Sequence, residues 1–241
     1  YLRKNRQNFN DAWFLMPAQK RSLINSRIII RSRLKAIKEK NISYAQRVAS
    51  FAASTNNDRL LARRGYDLNL MDYYKGVHDT PNYLARSVNY YDQYLMTVSV
   101  DSVQRADSLR KMEMFANAST SGSKVMQPGG ASILTNRVSF SPVTQRYAGE
   151  LNDGAWAFYT FTKDPLYVSK ALVWAKRANE FYDNPASMDT YARLLYRTGQ
   201  KEEALNWEEK AVRFSKERKA PAKEYEDVLA KMKSGNAIDN Y

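Results

Sequence analysis

The 241-residue chain has no cysteine, a single histidine, nine glycines and seven prolines. Without a thiol it cannot form a disulfide, present a cysteine nucleophile, or ligate zinc or an iron–sulfur cluster through sulfur. One imidazole, His78, excludes a multi-histidine metal site and leaves only one candidate for a Ser-His-Asp arrangement. Long hydrophobic runs are also missing. The longest stretches from Ala12 to Ala18, far below the roughly 20 residues that span a bilayer, so the chain is expected to be soluble. It begins at Tyr1 without Met and without a charged start and apolar core, and it reads as a mature chain or a piece of a longer one.

What the chain does have is positive charge, with 38 Lys and Arg against 25 Asp and Glu. The excess is local. Residues 1–50 hold 12 basic and 2 acidic residues, whereas residues 51–241 hold 26 and 23. A polyanion-binding surface over the whole molecule is not implied; the charge acts through the N-terminal fifth. There, Pro17 opens a long helical pattern with Leu23, Ile30, Leu34 and Ile37 on one face and Lys20, Arg21, Arg27, Arg31, Arg33, Lys35 and Lys38 around them. Three uses fit helix 17–40: packing that stripe on a neighbour, gripping nucleic acid, or lying on an anionic membrane surface.

Further helices are expected over residues 44–53, from Asp58 to about Lys75 with an end at Gly76, over 101–116, from Ser141-Pro142 onward, and over 222–232. Residues 117–141, rich in Ser, Gly and Thr around Pro128-Gly129-Gly130, read as a long loop. The organisation expected is a basic helical segment 1–57, a helical segment 58–117, a flexible loop 118–141 and a repeat-bearing segment 142–241. His78, between two helices and next to Asp79, reads as a turn residue without a chemical role. Ser121-Gly-Ser-Lys124 lacks the frame of a phosphate loop. The pairs Glu202-Glu203 and Glu208-Glu209 read as solvated helix surface, and the tyrosines from Tyr66 to Tyr94 as packing.

An internal repeat organises the second half. Ala171, Leu172, Trp174 and Ala178 recur 33 residues later as Ala204, Leu205, Trp207 and Ala211. Ahead of them Trp156-Ala157 answers Tyr191-Ala192 at 35, so two extra residues are expected in the first turn. A fainter copy links Pro81, Tyr83 and Tyr90 to Pro165, Tyr167 and Trp174. Such spacing describes antiparallel helix pairs that bury their apolar faces only by stacking.

Residues 186–219 resemble a tetratricopeptide repeat. Ala192 stands at the family's small position, Gly199 at its turn glycine, Glu203-Ala204 at the start of its second helix, and Ala211 at its late alanine. Residues 151–185 carry Lys163-Asp164-Pro165 at the turn, residues 66–97 carry Tyr94 at the late alanine, and the mid-helix aromatic is displaced by one to Trp174 and Trp207. The resemblance implies an all-α fold of antiparallel pairs stacked as a right-handed superhelix, with a capping helix after Pro221. It implies a concave face for a protein or peptide, carrying Phe158, Phe161 and Thr162 from one repeat and Asp189, Arg193, Tyr196 and Arg197 from the next, unless other segments fill that groove. No cofactor, metal or catalytic residue is implied.

Residues 140–235, through Phe140-Ser-Pro-Val-Thr-Gln-Arg-Tyr147, Ala175-Lys-Arg-Ala-Asn-Glu-Phe-Tyr182 and Met232-Lys-Ser-Gly235, are similar to the helical C-terminal region of bacterial envelope proteins that begin with a thioredoxin-like domain. That resemblance implies a periplasmic or envelope location, with the cytoplasm as the alternative, and an upstream domain as a further partner.

Overall fold

A computed structural model describes residue 13 and residues 15–120 and 140–238. The described residues are all-α, with neighbouring helices packed on one another in a repeat-like manner and no strand among them. Ten helices follow in order: α1 (Ala18–Lys38), α2 (Ile42–Ser54), α3 (Arg59–Gly76), α4 (Thr80–Tyr94), α5 (Val100–Thr120), α6 (Val143–Phe161), α7 (Pro165–Phe181), α8 (Pro185–Arg197), α9 (Lys201–Glu217) and α10 (Lys223–Lys233). Two compact units divide between Tyr94 and Leu95, so the expected 58–117 segment contributes to both. Of the loop expected at 118–141, residues 121–139 lie outside the described residues, while α5 runs on to Thr120.

In the first unit α1 packs on α2 and α3, and α3 on α2 and α4. Asn41 and Asp58 cap α2 and α3 by accepting from Tyr44 N at 2.9 Å and Leu61 N at 2.8 Å. The shared core is Ala36, Ala45, Ala49, Leu70 and Tyr73, with Ile37, Tyr44 and Tyr66 against it. This overturns the expected packing stripe of α1. Leu23, Ile30 and Leu34 are exposed, and only Ile37 turns inward. Short side chains decide the outcome, because Ala36 against Ala45 and Ala49 lets the helix axes approach, where leucines would hold them apart. Arg33 locks that orientation by reaching Asp72 at 2.6 Å and Asn69 at 3.2 Å.

Gly76 of α3 lies against Ile37 of α1. A Cβ there would stand 2.6 Å from Ile37 Cδ1. The left-handed residue that ends α3 is His78, at φ 60°, whose N–H donates to Lys75 O while Asp79 N donates to Tyr74 O. His78 is thus a helix terminator. The tyrosines close the far side of the unit: Tyr83, Tyr90, Tyr91 and Tyr94 are buried, Tyr90 receives Arg64 Nε at 3.0 Å, and Tyr94 OH donates to Asp67 at 2.9 Å.

In the second unit α6 packs on α7 and α8 on α9, with α7 and α6 both against α8 and α10 closing on α9. The inner ring contact repeats. Phe158 meets Trp174 edge-on at 4.8 Å, and 33 residues later Tyr191 meets Trp207 edge-on at 5.1 Å. Both pairs turn in three residues, 162–164 and 198–200, so the two extra residues expected in the first turn are not there. The partner of Tyr191 across the repeat is Phe158, not Trp156. Gly199 takes φ 87° in the second turn, while the first uses Asp164, whose side chain accepts from Leu166 N at 2.8 Å.

The start of α6 depends on a distant residue. Pro142 occupies the cap position without a side-chain hydrogen bond, and Asp107 of α5 supplies it, accepting from Val143 N at 2.9 Å, Thr144 N at 2.8 Å and Thr144 Oγ1 at 3.0 Å. Burial raises the Asp107 pKa, but these donors, with Arg110, outweigh it and hold the carboxyl below its ordinary value.

Two substitutions test this frame. Gly76→Ala should destabilise the protein by about 1–3 kcal/mol, the usual range for overpacking, read as a lower denaturation midpoint in urea. Asp107→Ala should cost about 1–3 kcal/mol at neutral pH, the range for a cap that leaves buried donors unmet. Because the Asp107 pKa is depressed, its contribution is present above the ordinary carboxylate range and lost as pH falls through the folded value. The gap between wild type and Asp107→Ala in urea melts should therefore narrow in acid.

Candidate functional site

The first helices of successive pairs, α6 and α8, lie side by side and α10 follows in the next place. Residues expected on the face they form divide into two groups. Phe158 is wholly buried between Trp174 and Tyr167, so it belongs to the core and not to a partner surface. Asp189 and Arg193 are each 7% exposed. Tyr196 is half-buried, its hydroxyl 3.5 Å from Met232 O and 3.4 Å from Asn236 O at the end of α10. Arg197 lies over the Tyr159 ring at 3.7 Å and donates to the carbonyls of Tyr159 and Thr162. Phe161 is exposed and Thr162 half-buried. The structure therefore brings Asp189, Arg193, Tyr196 and Arg197 together on one side, but as side chains already engaged by α6 and α10.

Arg193 is the hub. Its Nε donates to Asp189 Oδ1 at 2.8 Å, one helical turn back, and its guanidinium lies 5.5 Å from the centre of Trp156 on α6. Trp156 in turn stacks on Tyr159 at 5.3 Å, so two arginines and two rings alternate across α6 and α8. The other side of Arg193 opens into a cleft of about 410 Å³, walled by Lys223, Glu224, Asp227, Val228 and Lys231 of α10 and by Ile238.

Beneath it sits a residue that sequence reasoning misplaced. Glu208, expected on the solvated surface of α9, is fully buried, whereas its neighbour Glu209 reaches outward to Lys233 at 2.7 Å. Its carboxyl shares a side-chain hydrogen bond with the carboxyl of Asp189. Burial first, then the Asp189 charge, push its pKa far above the carboxylate range, with Arg193 opposing and Glu224 adding to the rise. Asp189 is raised as well, by burial that exceeds the pull of Arg193. Tyr225 of α10, near the same acids, is also raised, mainly by burial. The signal was present in the repeat. Glu208 stands 33 residues after Ala175, which is wholly buried, and the register puts both on the inward face.

Burial thus favours the protonated form of the Glu208 carboxyl, which lies with Asp189 against one guanidinium, that of Arg193. The cleft above it combines an arginine that Asp189 already pairs, the apolar Val228 and Ile238, and mixed charge from α10. Among the described residues, no group of three or more His, Cys, Asp or Glu could hold a metal ion, and no helix is long and apolar enough to cross a membrane.

The raised carboxyl has a measurable consequence. Folded chains bind the Glu208 proton at pH values where unfolded chains, with an ordinary glutamate near pH 4, have released it. Stability is therefore complete below that range and falls as pH rises. Glu208→Gln should remove most of that slope and be more stable than wild type at pH 8 by at least about 1.4 kcal/mol, the equivalent of one pKa unit. Urea denaturation at a series of pH values checks both. Comparison of the chain with protein-family models, with curated proteins and with solved structures finds no match.

Proposed function

We propose that the chain is a non-catalytic interaction module of the tetratricopeptide kind, binding a protein or peptide segment across the face of α6, α8 and α10. The observation that carries this reading is the recurrence of one ring contact, Phe158 on Trp174 and Tyr191 on Trp207, at the 33-residue interval of the sequence repeat. Identical contacts at a fixed interval are how stacked helix pairs hold a common register, and stacked pairs present their first helices as one continuous surface. The partner seat is the cleft at Arg193, with Val228 and Ile238 as its apolar side, Lys223, Asp227 and Lys231 on its rim, and Trp156 backing Arg193 from the other side. This revises the sequence-based set: Tyr196 and Arg197 support the seat, and Phe158 lies below it.

The likeness of residues 140–235 to the helical region of envelope thioredoxin-like proteins extends the proposal. In that setting the module is the C-terminal part of a larger envelope protein, its own upstream domain being one partner. Arg193 in the cleft wall, backed by Trp156, supports recognition, because Arg is among the residues that dominate the energetics of protein interfaces.

A display library of random peptides selected on the immobilised 241-residue chain tests the reading. Selected peptides should lose at least about tenfold in affinity on Lys231→Glu and on Asp227→Lys, the scale of one interface hot spot. They should keep their affinity on Val173→Glu, an exposed site on α7. Peptides that bind all three variants equally, or a selection that yields none, would defeat it.

A further inference from the structure

The outward face of α1 is built for a surface. Leu23, Ile30 and Leu34 are 53%, 48% and 59% exposed and form one row along the helix at spacings of seven and four. Beside them runs a second row, Lys20, Arg27, Arg31 and Lys38, all exposed, in which each basic residue stands three or four positions from an apolar one. None of these four makes an ion pair among the described residues, whereas Arg33 and Lys35 are used internally on Asp72 and Glu39. The helix contains no acidic residue over Ala18–Lys38. α2 and α3 pack against the opposite side, where Ala36 is buried, so the double row faces away from the core of its unit. At 21 residues it extends about 30 Å.

We infer that α1 is a docking surface for an anionic lipid bilayer, with Leu23, Ile30 and Leu34 at the acyl boundary and Lys20, Arg27, Arg31 and Lys38 among the headgroup phosphates. The two rows together select this occupant. Phosphates of a nucleic acid reward the basic row, but they leave three adjacent aliphatic side chains in water. A bilayer interface rewards both, taking the aliphatics a few ångströms below the headgroups while the cationic chains extend back to them. Charge complementarity fixes the lipid class, since each basic residue near an anionic leaflet adds attraction that a neutral leaflet does not offer. The inference rests on α1 alone and stands whether or not the Arg193 cleft binds a peptide.

Co-sedimentation of the full 241-residue chain with vesicles tests it, using phosphatidylcholine alone and phosphatidylcholine with one-third phosphatidylglycerol. Binding should be confined to the anionic vesicles and should weaken as salt is raised. It should fall at least about tenfold in the triple variant Leu23→Ser, Ile30→Ser, Leu34→Ser, and equally in Lys20→Gln, Arg27→Gln, Arg31→Gln, Lys38→Gln. All seven side chains are exposed, so circular dichroism should match wild type; if either multiple variant does not fold, Leu34→Ser alone should still lower binding severalfold. Failure to sediment with anionic vesicles at low salt overturns the inference. So does binding that ignores the serine substitutions, tighter stripe-independent binding to duplex DNA, or self-association of the chain that disappears with the serines.

Discussion

The edge-on contact between an aromatic of one helix and the tryptophan of the next sets the geometry of the second unit. Phe158 against Trp174 and Tyr191 against Trp207 each fix how far one helix of a pair can slide along the other, because the ring edge fits its neighbour's face in one register. Alanines complete the fit. Ala171, Ala175 and Ala178 on α7, and Ala204 and Ala211 on α9, are wholly buried, and their small size lets the helix axes approach until the large rings fill the remaining space. With both pairs in register, α6 meets α8 and Arg193 comes over Trp156. The cleft of the candidate site therefore depends on ring contacts that lie beneath it.

This explains which parts of the fold were legible in the sequence. Trp174 and Trp207 could be matched by eye because the contact needs the same large side chain at each copy. The capping acid Asp58 and the turn residue Gly199 were legible because each acts within a few residues of itself. Asp107 was not, since it caps a helix that begins 36 residues further on and no local rule connects them. The first helices were less legible. Trp156-Ala157 resembles Tyr191-Ala192 as an aromatic followed by alanine, although Phe158 occupies the position equivalent to Tyr191 in the ring contact.

The candidate site was legible in outline and wrong in accessibility. A repeat template gives the side of the helix on which Asp189, Arg193, Tyr196 and Arg197 stand, and the structure gathers them there. What it does not give is what covers them. α10, anticipated as a cap, closes on Tyr196 through a backbone carbonyl and supplies most of the cleft wall, so the face is a seat between helices instead of an open row. Glu208 escaped because acidic residues in a charged helix are ordinarily solvated, and only the repeat register contradicts that expectation.

Two inversions of the usual partition of side chains remain, and they bear on function in opposite ways. In the second unit a glutamate, an aspartate and an arginine are buried together, where an apolar trio of equal volume would cost less desolvation. In the first unit three large aliphatics stand in water while alanines are buried beneath them. The buried trio is held within the fold by Trp156 and α10 and acts as a fixed polar floor under the cleft. The exposed row has no such support from its own unit, since α2 and α3 occupy the other side of α1. Buried polar groups answer to partners inside the chain; exposed apolar groups in ordered rows answer to a partner outside it. The N-terminal charge excess then has a specific meaning. Arg33 uses its charge to orient α1, and that orientation is what turns Leu23, Ile30 and Leu34 outward beside four basic side chains that make no ion pair among the described residues.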